Sequence, residues 1–248
     1  MKVSSYVWWI SLGLLINQSE VALAQVTTIP LPTYNARLQT FGGPGTAASA
    51  YPEGNVNLGG IAFSIPAGTG TLNVWDSETA LVPGPNPHQL VVPVNLFGVQ
   101  NVYTLVNTIW GTTTPGLASI QFNGSLGASY TFNLVGGTDM RDFLFNVFTN
   151  SINNTTTTNV FNAGSGFGNT VRLDMQTIAL PPVFQTQTLT DITFTDNGAD
   201  GLQRIFVSGV SVSTIAAVPE PSSLILLGSA GVCGLGVYWK RRRKLARR

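Results

Sequence analysis

The sequence is poor in charged residues and has one cysteine and one histidine. Only 9% of its 248 residues are charged, whereas 44% are hydrophobic; an ordinary soluble domain has about 25% charged residues. The cysteine, Cys233, lies near the C-terminus, so residues 25–217 form no disulfide and depend on packing for stability. One histidine without a nearby cysteine cannot supply the usual ligands of a zinc site, and we expect no cofactor.

Basic residues are scarce in the middle of the chain. Between residues 25 and 218 four arginines stand against nine acidic residues, a net charge of −5, and there is no lysine. Nucleic-acid binding needs clustered cations that neutralise phosphates. The composition therefore excludes a nucleic acid as a partner of this region. Its length of about 190 residues is enough for one domain with a substantial core.

Residues 1–24 have the three parts of a secretory signal peptide. Lys2 precedes an apolar stretch from Tyr6 to Ile16, and the segment ends in Ala22-Leu23-Ala24, an A-x-A cleavage site. The alternative is a membrane anchor, but an apolar stretch of about eleven residues is shorter than the roughly 20 that a spanning helix needs. We therefore predict export and removal of this segment.

Residues 218–248 also contain three successive parts. Val218-Pro219-Glu220-Pro221 is expected to be extended and exposed, because each proline fixes φ and lacks an amide donor. The apolar run 222–239 would be about 27 Å long as a helix, just enough for a bilayer core of roughly 30 Å. A basic cluster then holds the C-terminus on the cytoplasmic side: Lys240, Arg241, Arg242, Arg243 and Lys244. The body, residues 25–217, is therefore expected on the opposite side of the membrane.

This ending resembles the PEP-CTERM sorting signal of Gram-negative and related bacteria, with the same triplet, glycine-containing transmembrane helix and arginine cluster in the same order. The resemblance implies that an exosortase, a membrane-embedded transpeptidase, recognises the signal and removes the helix and the basic tail 240–248. It also implies an inner-membrane precursor that becomes a cell-surface or extracellular protein, typically in bacteria that make extracellular polysaccharide. An ordinary C-terminal anchor is the alternative, because its apolar run and charges would look the same.

The body is predicted to be all-β, because apolar and polar residues alternate in short segments separated by Gly, Pro, Asn and Asp. In Thr170–Thr177, Val171, Leu173 and Met175 share one face, and Arg172, Asp174 and Gln176 share the other. Further strands are predicted at Ile61–Ile65, Leu72–Val74, Leu90–Leu96, Val102–Trp110, Ser119–Phe122, Tyr130–Leu134, Leu189–Thr195 and Ile205–Val212. In the last segment Ile205 and Val207 stand at odd-numbered positions, whereas Val210 and Val212 stand at even-numbered ones. This switch predicts a bulge at Ser208-Gly209. About ten strands without helical partners predict a two-sheet β-sandwich.

Four segments carry a second resemblance. Val171–Asp174, Leu180-Pro181, Leu189–Phe194 and Ile205–Val212, in this order, are similar to the closing strands of galactose-binding-like jelly rolls. This implies a jelly-roll-like arrangement of the sandwich. It implies no activity, since jelly rolls host many unrelated functions.

Two stretches between these strands are less regular. In Asp139–Phe148, the spacing of Met140, Phe143 and Leu144 fits a helix behind an Asp cap. The alternation Phe143-Phe145-Val147 and the β-prone composition favour a strand, which is our prediction. The tract Asn153–Asn159 and the glycine-rich run Gly164–Gly168 predict a mobile loop.

Few residues suggest catalysis or metal binding. His88 follows a proline-rich loop, and without a Gly-x-Ser-x-Gly elbow it is expected to be a loop histidine. Gly164–Gly168 lacks the lysine and the helix of a phosphate loop. Asp196 and Asp200 are weak Ca²⁺ candidates. Their spacing does not fit an EF-hand, and an Asp-Asn-Gly hairpin turn, the favoured interpretation, explains the same residues without an ion.

Trp75 is the one candidate sugar contact. It shares strand parity with Thr71 and Asn73, which places its ring on the polar face of a predicted strand. The favoured alternative is an aromatic ring covered by a neighbouring loop, because isolated aromatic residues are rarely left bare.

Two function classes remain. The first is an exported, non-enzymatic cell-surface or extracellular-matrix protein that contacts exopolysaccharide. The second is a secreted carbohydrate-active hydrolase with a pair of carboxylates. The lack of a histidine cluster, a metal set and a nucleophile elbow favours the first, although a carboxylate-only enzyme would leave no trace in the sequence.

Export is expected to remove residues 1–24, because Ala22-Leu23-Ala24 provides the small residues that signal peptidase needs. Mass spectrometry of the exported protein should find a mature N-terminus at Gln25. An intact Met1 on exported material would show that the segment is a retained anchor.

Overall fold

Twelve β-strands form in the part of the chain that the computed structural model describes, residues 25–77, 88–198 and 203–215. The predicted signal peptide, transmembrane helix and basic tail lie outside the described residues, as does Asp200. Within those residues, no helix has the length and apolar character needed to cross a membrane. One compact unit spans Ala24–Ile215.

The strands take up most of the predicted segments. They are Val26–Ile29 (β1), Gly54–Leu58 (β2), Ile61–Ile65 (β3), Trp75–Asp76 (β4), His88–Phe97 (β5), Val99–Ile109 (β6), Ala118–Gly124 (β7), Ser129–Leu134 (β8), Thr157–Ala163 (β9), Val171–Ala179 (β10), Thr188–Asp196 (β11) and Arg204–Thr214 (β12). The predicted strand Leu72–Val74 is wrong: Val74 makes only an isolated bridge with Ala36, and the paired residues that follow are Trp75 and Asp76.

The strands assemble into two main sheets and a hairpin. The first sheet has the order β1-β12-β6-β10-β9, with β4 also paired to β12, and the second has the order β5-β11-β7-β8. Strands β2 and β3 form the hairpin, and every pairing between these strands is antiparallel. The prediction of an all-β body with more than one sheet is confirmed.

The first sheet is buried on both faces. One face shares a hydrophobic core with the second sheet, and this core includes Val106 and Val207 from the first sheet and Ile120 and Phe194 from the second. The other face packs on the β2–β3 hairpin and on residues 38–51, through Leu105, Phe206 and Phe63 among others. Burial on both faces explains why ten of the eleven residues of β12 are buried.

The predicted bulge in β12 is confirmed. The pairing of β12 with β6 shifts register between Val207 and Gly209. The shift moves the apolar residues of the strand from one parity to the other while both faces remain buried. Gly209 suits this position, because a Cβ there would lie only 3.0 Å from the Phe63 ring.

Strands β6 and β10 pair for half of their length and then separate. Their ladder runs from Asn101 to Leu105 on β6 and from Met175 to Ala179 on β10. Beyond it, the backbone of residues 139–148, which we call the wedge, lies between the two strands. Thr108 N donates to Arg141 O at 3.0 Å, Phe143 N donates to Thr108 O at 3.0 Å, and Arg172 N donates to Phe143 O at 3.0 Å.

The prediction of a strand at Asp139–Phe148 is therefore wrong. The wedge makes isolated bridges, Thr108 with Asp142 and Leu144 with Val171, rather than a continuous ladder. From Phe145 the chain turns away from the two strands, and Asn146 in that turn adopts a positive φ of 58°, outside the extended region.

A buried ion pair holds the wedge in place. The Arg141 guanidinium binds both oxygens of Asp174, with Nε 2.8 Å from Oδ2 and Nη2 2.7 Å from Oδ1. Asp174 has no exposed surface. Asn107 Nδ2 donates to the same carboxylate at 2.7 Å, and Asp174 N donates to Asn107 Oδ1 at 2.9 Å. The side chain of Asn107 thus replaces the ladder bonds that the separated strands lack.

Arg172 makes a second set of contacts with the wedge. It is 1% exposed, and its Nε donates to Asp142 O at 2.9 Å and its Nη2 to Leu144 O at 3.2 Å. Burial, together with the nearby charge of Arg141, lowers the pKa of Arg172 to about 10. The guanidinium therefore remains charged at neutral pH.

The predicted loop at Asn153–Asn159 is only partly correct. Asn153 does form a turn, in which its Oδ1 accepts from the amides of Thr155, Thr156 and Thr157. The chain then enters β9, which pairs with β10 at the edge of the sheet. The threonines of this tract fit the turn and also the strand, since β-branched residues favour strands. Gly164–Gly168 is the turn between β9 and β10.

Replacing Arg141 with methionine is expected to reduce the free energy of unfolding by about 3–5 kcal/mol, because Asp174 would remain as a buried charge without its partner. Arg37→Met is the matched control, since Arg37 lies 3.7 Å from Glu53 in a partly exposed pair and also donates to the carbonyls of Gly68 and Thr71; it leaves no buried charge behind and should cost about 1–2 kcal/mol. Denaturant unfolding of residues 25–217 measures both. Equal losses would show that the buried pair does not stabilise the wedge.

Candidate functional site

A cavity of about 370 Å³ opens where the wedge separates β6 from β10. Its walls come from the end of β6, the wedge, the start of β12 and the chain before the hairpin. The lining residues are Thr40, Phe41, Gly42, Ile109, Trp110, Asp142, Phe143, Leu144, Val147, Phe148 and Arg204. Its volume lies at the small end of the range of about 300–1,000 Å³ that small-molecule sites occupy.

An aromatic cluster supports the apolar wall. The rings of Phe41 and Phe206 meet edge to face at 5.1 Å between centroids, and Phe143 contacts Phe41 in the same way at 5.8 Å. Such pairs stabilise by about 0.5–1.5 kcal/mol beyond their buried area. The wall is therefore fixed before any ligand binds.

Trp110 has a strained backbone at the edge of the cavity. Its φ is +55°, a conformation that bulky residues rarely adopt and that clusters at functional sites. Hydrogen bonds of the next two residues hold it there: Gly111 N donates to Asp142 Oδ2 at 3.3 Å, and Thr112 N donates to Gln203 Oε1 at 3.1 Å. The indole ring is half-buried and faces the guanidinium of Arg204, whose Cζ lies 5.1 Å from the ring centroid.

Arg204 provides the cationic group of the cavity. Its Nε lies 3.0 Å from Asp76 Oδ2, and the whole residue is 9% exposed. Nη1 is buried without a hydrogen-bond acceptor among the described residues. The Asp76 carboxylate and the Trp110 ring thus hold the guanidinium at the cavity wall.

Asp142 provides the acidic group. Burial raises the pKa of this carboxyl to about 6, against the opposing effect of backbone amides, including those of Leu144 and Gly111, and of the Arg172 charge. Leu144 N donates to Oδ1 at 2.8 Å. The carboxyl thus links the wedge to the end of β6 and changes its charge near pH 6.

The cavity is suited to binding an amphipathic small molecule. An apolar aromatic wall is combined with a few polar side chains, those of Thr40, Asp142 and Arg204, which is the usual composition of a ligand site. Glycoside hydrolysis uses two carboxyl groups on either side of the scissile bond. Asp142 is the one carboxylic acid among the residues that line this cavity.

Trp75 lies elsewhere. It is 6% exposed, packs in the core between the two main sheets and pairs with Val207. A covered ring offers no face to a sugar, so Trp75 does not belong to the site. The alternation of polar and apolar residues in Thr71–Trp75 indicated an exposed ring. It was misleading because the first sheet is covered on both faces.

His88, Ser77 and Asp196 come together without forming a catalytic triad. His88 Nδ1 contacts Ser77 O, and Ser77 Oγ donates to Asp196 Oδ2 at 2.6 Å. The serine hydroxyl is therefore bound to the carboxylate, and the imidazole to a carbonyl, whereas a triad needs the imidazole on the hydroxyl.

Asp196 is engaged by protein donors. Its carboxylate also accepts from Gly198 N at 2.9 Å and from Ile205 N at 2.8 Å. Among the described residues, no group of three or more His, Cys, Asp or Glu side chains could hold a metal ion. Asp200, the second calcium candidate, lies outside them.

Sequence reasoning missed Trp110, Asp142 and Arg204. One signal was present: with four arginines between residues 25 and 218, each is conspicuous, and Arg204 directly precedes the apolar start of a predicted strand. Trp110 could not be distinguished from a core residue, because its role follows from a backbone angle. Asp142 depends on the wedge, which no local pattern predicts.

The comparisons concern the C-terminal end. Residues 217–243 match the PEP-CTERM protein-sorting motif, which confirms the predicted sorting signal. A chain with this motif is exported and is sorted through an exosortase. No curated protein and no solved structure matches the chain, so the resemblance to a jelly roll is not confirmed.

The Asp142 carboxyl is expected to titrate near pH 6. Because its pKa is higher in the folded state than in the unfolded state, the folded protein binds the extra proton, so stability is gained below pH 6 and lost as the pH rises through 6. Between pH 7 and pH 5 the free energy of unfolding should increase by about 1 kcal/mol relative to Asp142→Asn. Denaturant unfolding at both pH values measures the difference, and equal pH dependence in the two proteins would contradict the assignment.

Proposed function

We propose that this chain is an exported, non-enzymatic protein of the cell surface or extracellular matrix, whose β-sandwich body contacts exopolysaccharide. The sorting motif at residues 217–243 carries the proposal. The last described strand ends at Thr214, so the motif follows the body directly in the sequence. An exosortase is the processing partner, and the membrane anchor at 222–239 is transient.

Several features of the body favour binding over catalysis. The cavity is lined by one carboxylic acid, Asp142, rather than the two that glycoside hydrolysis needs. The only histidine contacts a backbone carbonyl. Rigid aromatic walls with a few polar groups among them are instead what a binding module requires.

One observation favours the second candidate, a secreted carbohydrate-active hydrolase. A carboxyl with a pKa of about 6 in a cavity is typical of a general acid. Release of reducing ends from the neutral and acidic oligosaccharides named below, by the wild type but not by Asp142→Asn, would establish the enzyme and overturn the non-enzymatic proposal.

The Pro219-Glu220-Pro221 triplet is expected to be the processing handle, because an extended, proline-fixed segment outside the membrane is accessible to an enzyme active site. In a host that carries the sorting enzyme, changing all three residues to alanine should leave signal-peptide cleavage and anchoring intact but abolish C-terminal release. Immunoblots of membrane and medium fractions measure release.

Replacing Lys240, Arg241, Arg242, Arg243 and Lys244 with neutral residues is the matched control. It should weaken retention and orientation, which the positive-inside rule governs, rather than block processing. Release of the triple-alanine protein at the wild-type rate would show that the C-terminal segment is only an ordinary membrane anchor.

A further inference from the structure

One exposed phenylalanine lines the cavity, and two more belong to turns that are joined to its wall. Phe148, 48% exposed, lines it, and Phe145, 38% exposed, belongs to the same turn. Phe167, 74% exposed, lies in the turn between β9 and β10. We call Phe145, Phe148 and Phe167 the aromatic rim. Exposed apolar groups that cluster in this way mark interaction sites, whereas single ones need no explanation.

Backbone hydrogen bonds join the two turns of the rim. Gly168 N donates to Phe145 O at 3.1 Å, and Phe145 N donates to Thr170 O at 2.9 Å. The ring of Phe145 also lies over the buried guanidinium of Arg172, 5.8 Å from its Cζ. The turn that carries Phe167 is therefore tied to the wedge, which forms a wall of the cavity.

We propose that the cavity binds one sugar ring of a neutral polysaccharide and that the aromatic rim binds the rings next to it. This inference rests on the proposed contact with exopolysaccharide and names the site and the ligand class. A pyranose has apolar C–H faces, which pack on aromatic rings, and hydroxyls at its edge. The cavity offers both kinds of contact: aromatic side chains line it together with the polar side chains of Thr40, Asp142 and Arg204.

Charge decides between neutral and acidic sugars. The four arginines of the body each contact acidic or carbonyl groups: Arg37 contacts Glu53, Arg141 contacts Asp174, Arg172 contacts the carbonyls of the wedge, and Arg204 contacts Asp76. The cavity also contains the Asp142 carboxyl. A uronate would find no uncompensated cation among the described residues and would enter a body of net charge −5. A neutral chain meets no such repulsion.

The same charges argue against a membrane surface as the occupant of the rim. Interfacial binding of exposed aromatic residues is strengthened by lysines and arginines that attract anionic lipids. Residues 25–218 have no lysine, and their arginines are already paired as described.

Calorimetry on the full chain in detergent tests the proposal. The neutral probes are hexasaccharides of β-1,4-glucose, β-1,3-glucose, α-1,4-glucose, β-1,4-mannose and β-1,4-xylose, and the acidic probe is hexagalacturonate. At least one neutral probe should bind, with at least tenfold lower affinity for hexagalacturonate. Phe148→Ala and Phe167→Ala should each weaken the binding at least fivefold.

Phe97→Ala is the matched control. Phe97 is 61% exposed at the end of β5 and belongs to neither turn of the rim, so its removal should leave the affinity unchanged. Because all three side chains are exposed, the variants should keep the wild-type near-ultraviolet circular dichroism, which separates a loss of binding from a loss of folding.

Other results would overturn the proposal. No binding of any neutral probe, equal or tighter binding of hexagalacturonate, or equal losses in Phe97→Ala and the rim variants would each do so. An oligomer in sedimentation that dissociates in Phe167→Ala, together with no sugar binding, would identify the rim as a contact between copies. Binding is measured on purified protein, so it is independent of the sorting on which the proposed function depends.

Discussion

The architecture of the site depends on the fully buried carboxylate of Asp174. A buried charge is tolerated only when it is paired and hydrogen-bonded, and here Arg141 contacts both oxygens while Asn107 and Asn159 donate to them as well. Arg141 belongs to the wedge, so satisfying Asp174 requires the wedge to enter the sheet. The separation of β6 and β10 thus accommodates the buried carboxylate of Asp174 and the wedge arginine that pairs with it.

Separated strands expose backbone groups that must find other partners. Gln176 does this for Val106, accepting from its N at 3.1 Å and donating to its O at 2.9 Å, as a neighbouring strand would. The polar face of β10, with Arg172, Asp174 and Gln176, therefore lies against the wedge and not against solvent. This arrangement leaves space at the open end of the split, and the cavity occupies that space between Trp110 and the wedge.

The sequence predicts the strands where a local pattern determines them and fails where partners distant in sequence do. Alternation located β10, β11 and the bulge of β12, because each residue's environment repeats along the strand. The same alternation also indicated that Trp75 lies on an exposed face and that Asp139–Phe148 forms a strand. The error at Asp139–Phe148 comes from the alternation of Phe143, Phe145 and Val147, which here accompanies no continuous ladder. The error at Trp75 comes from the assumption that a polar residue on a strand faces water. In this body Arg172, Asp174 and Gln176 are polar and buried, and no period-two pattern distinguishes that case from an exposed face.

The scarcity of charge gains a structural explanation from these contacts. The body has no disulfide and must hold an irregular segment between two strands, and it uses Arg141 and Arg172 internally to do so. Once Arg37 and Arg204 have contacted Glu53 and Asp76, the cations of the described body are committed. The surface beside the cavity includes the exposed phenylalanines of the aromatic rim. Such a surface discriminates poorly by long-range electrostatics, which requires uncompensated charge. Its selectivity must come from shape and from hydrogen bonds at short range, which is the form of recognition that a neutral, ring-shaped ligand requires.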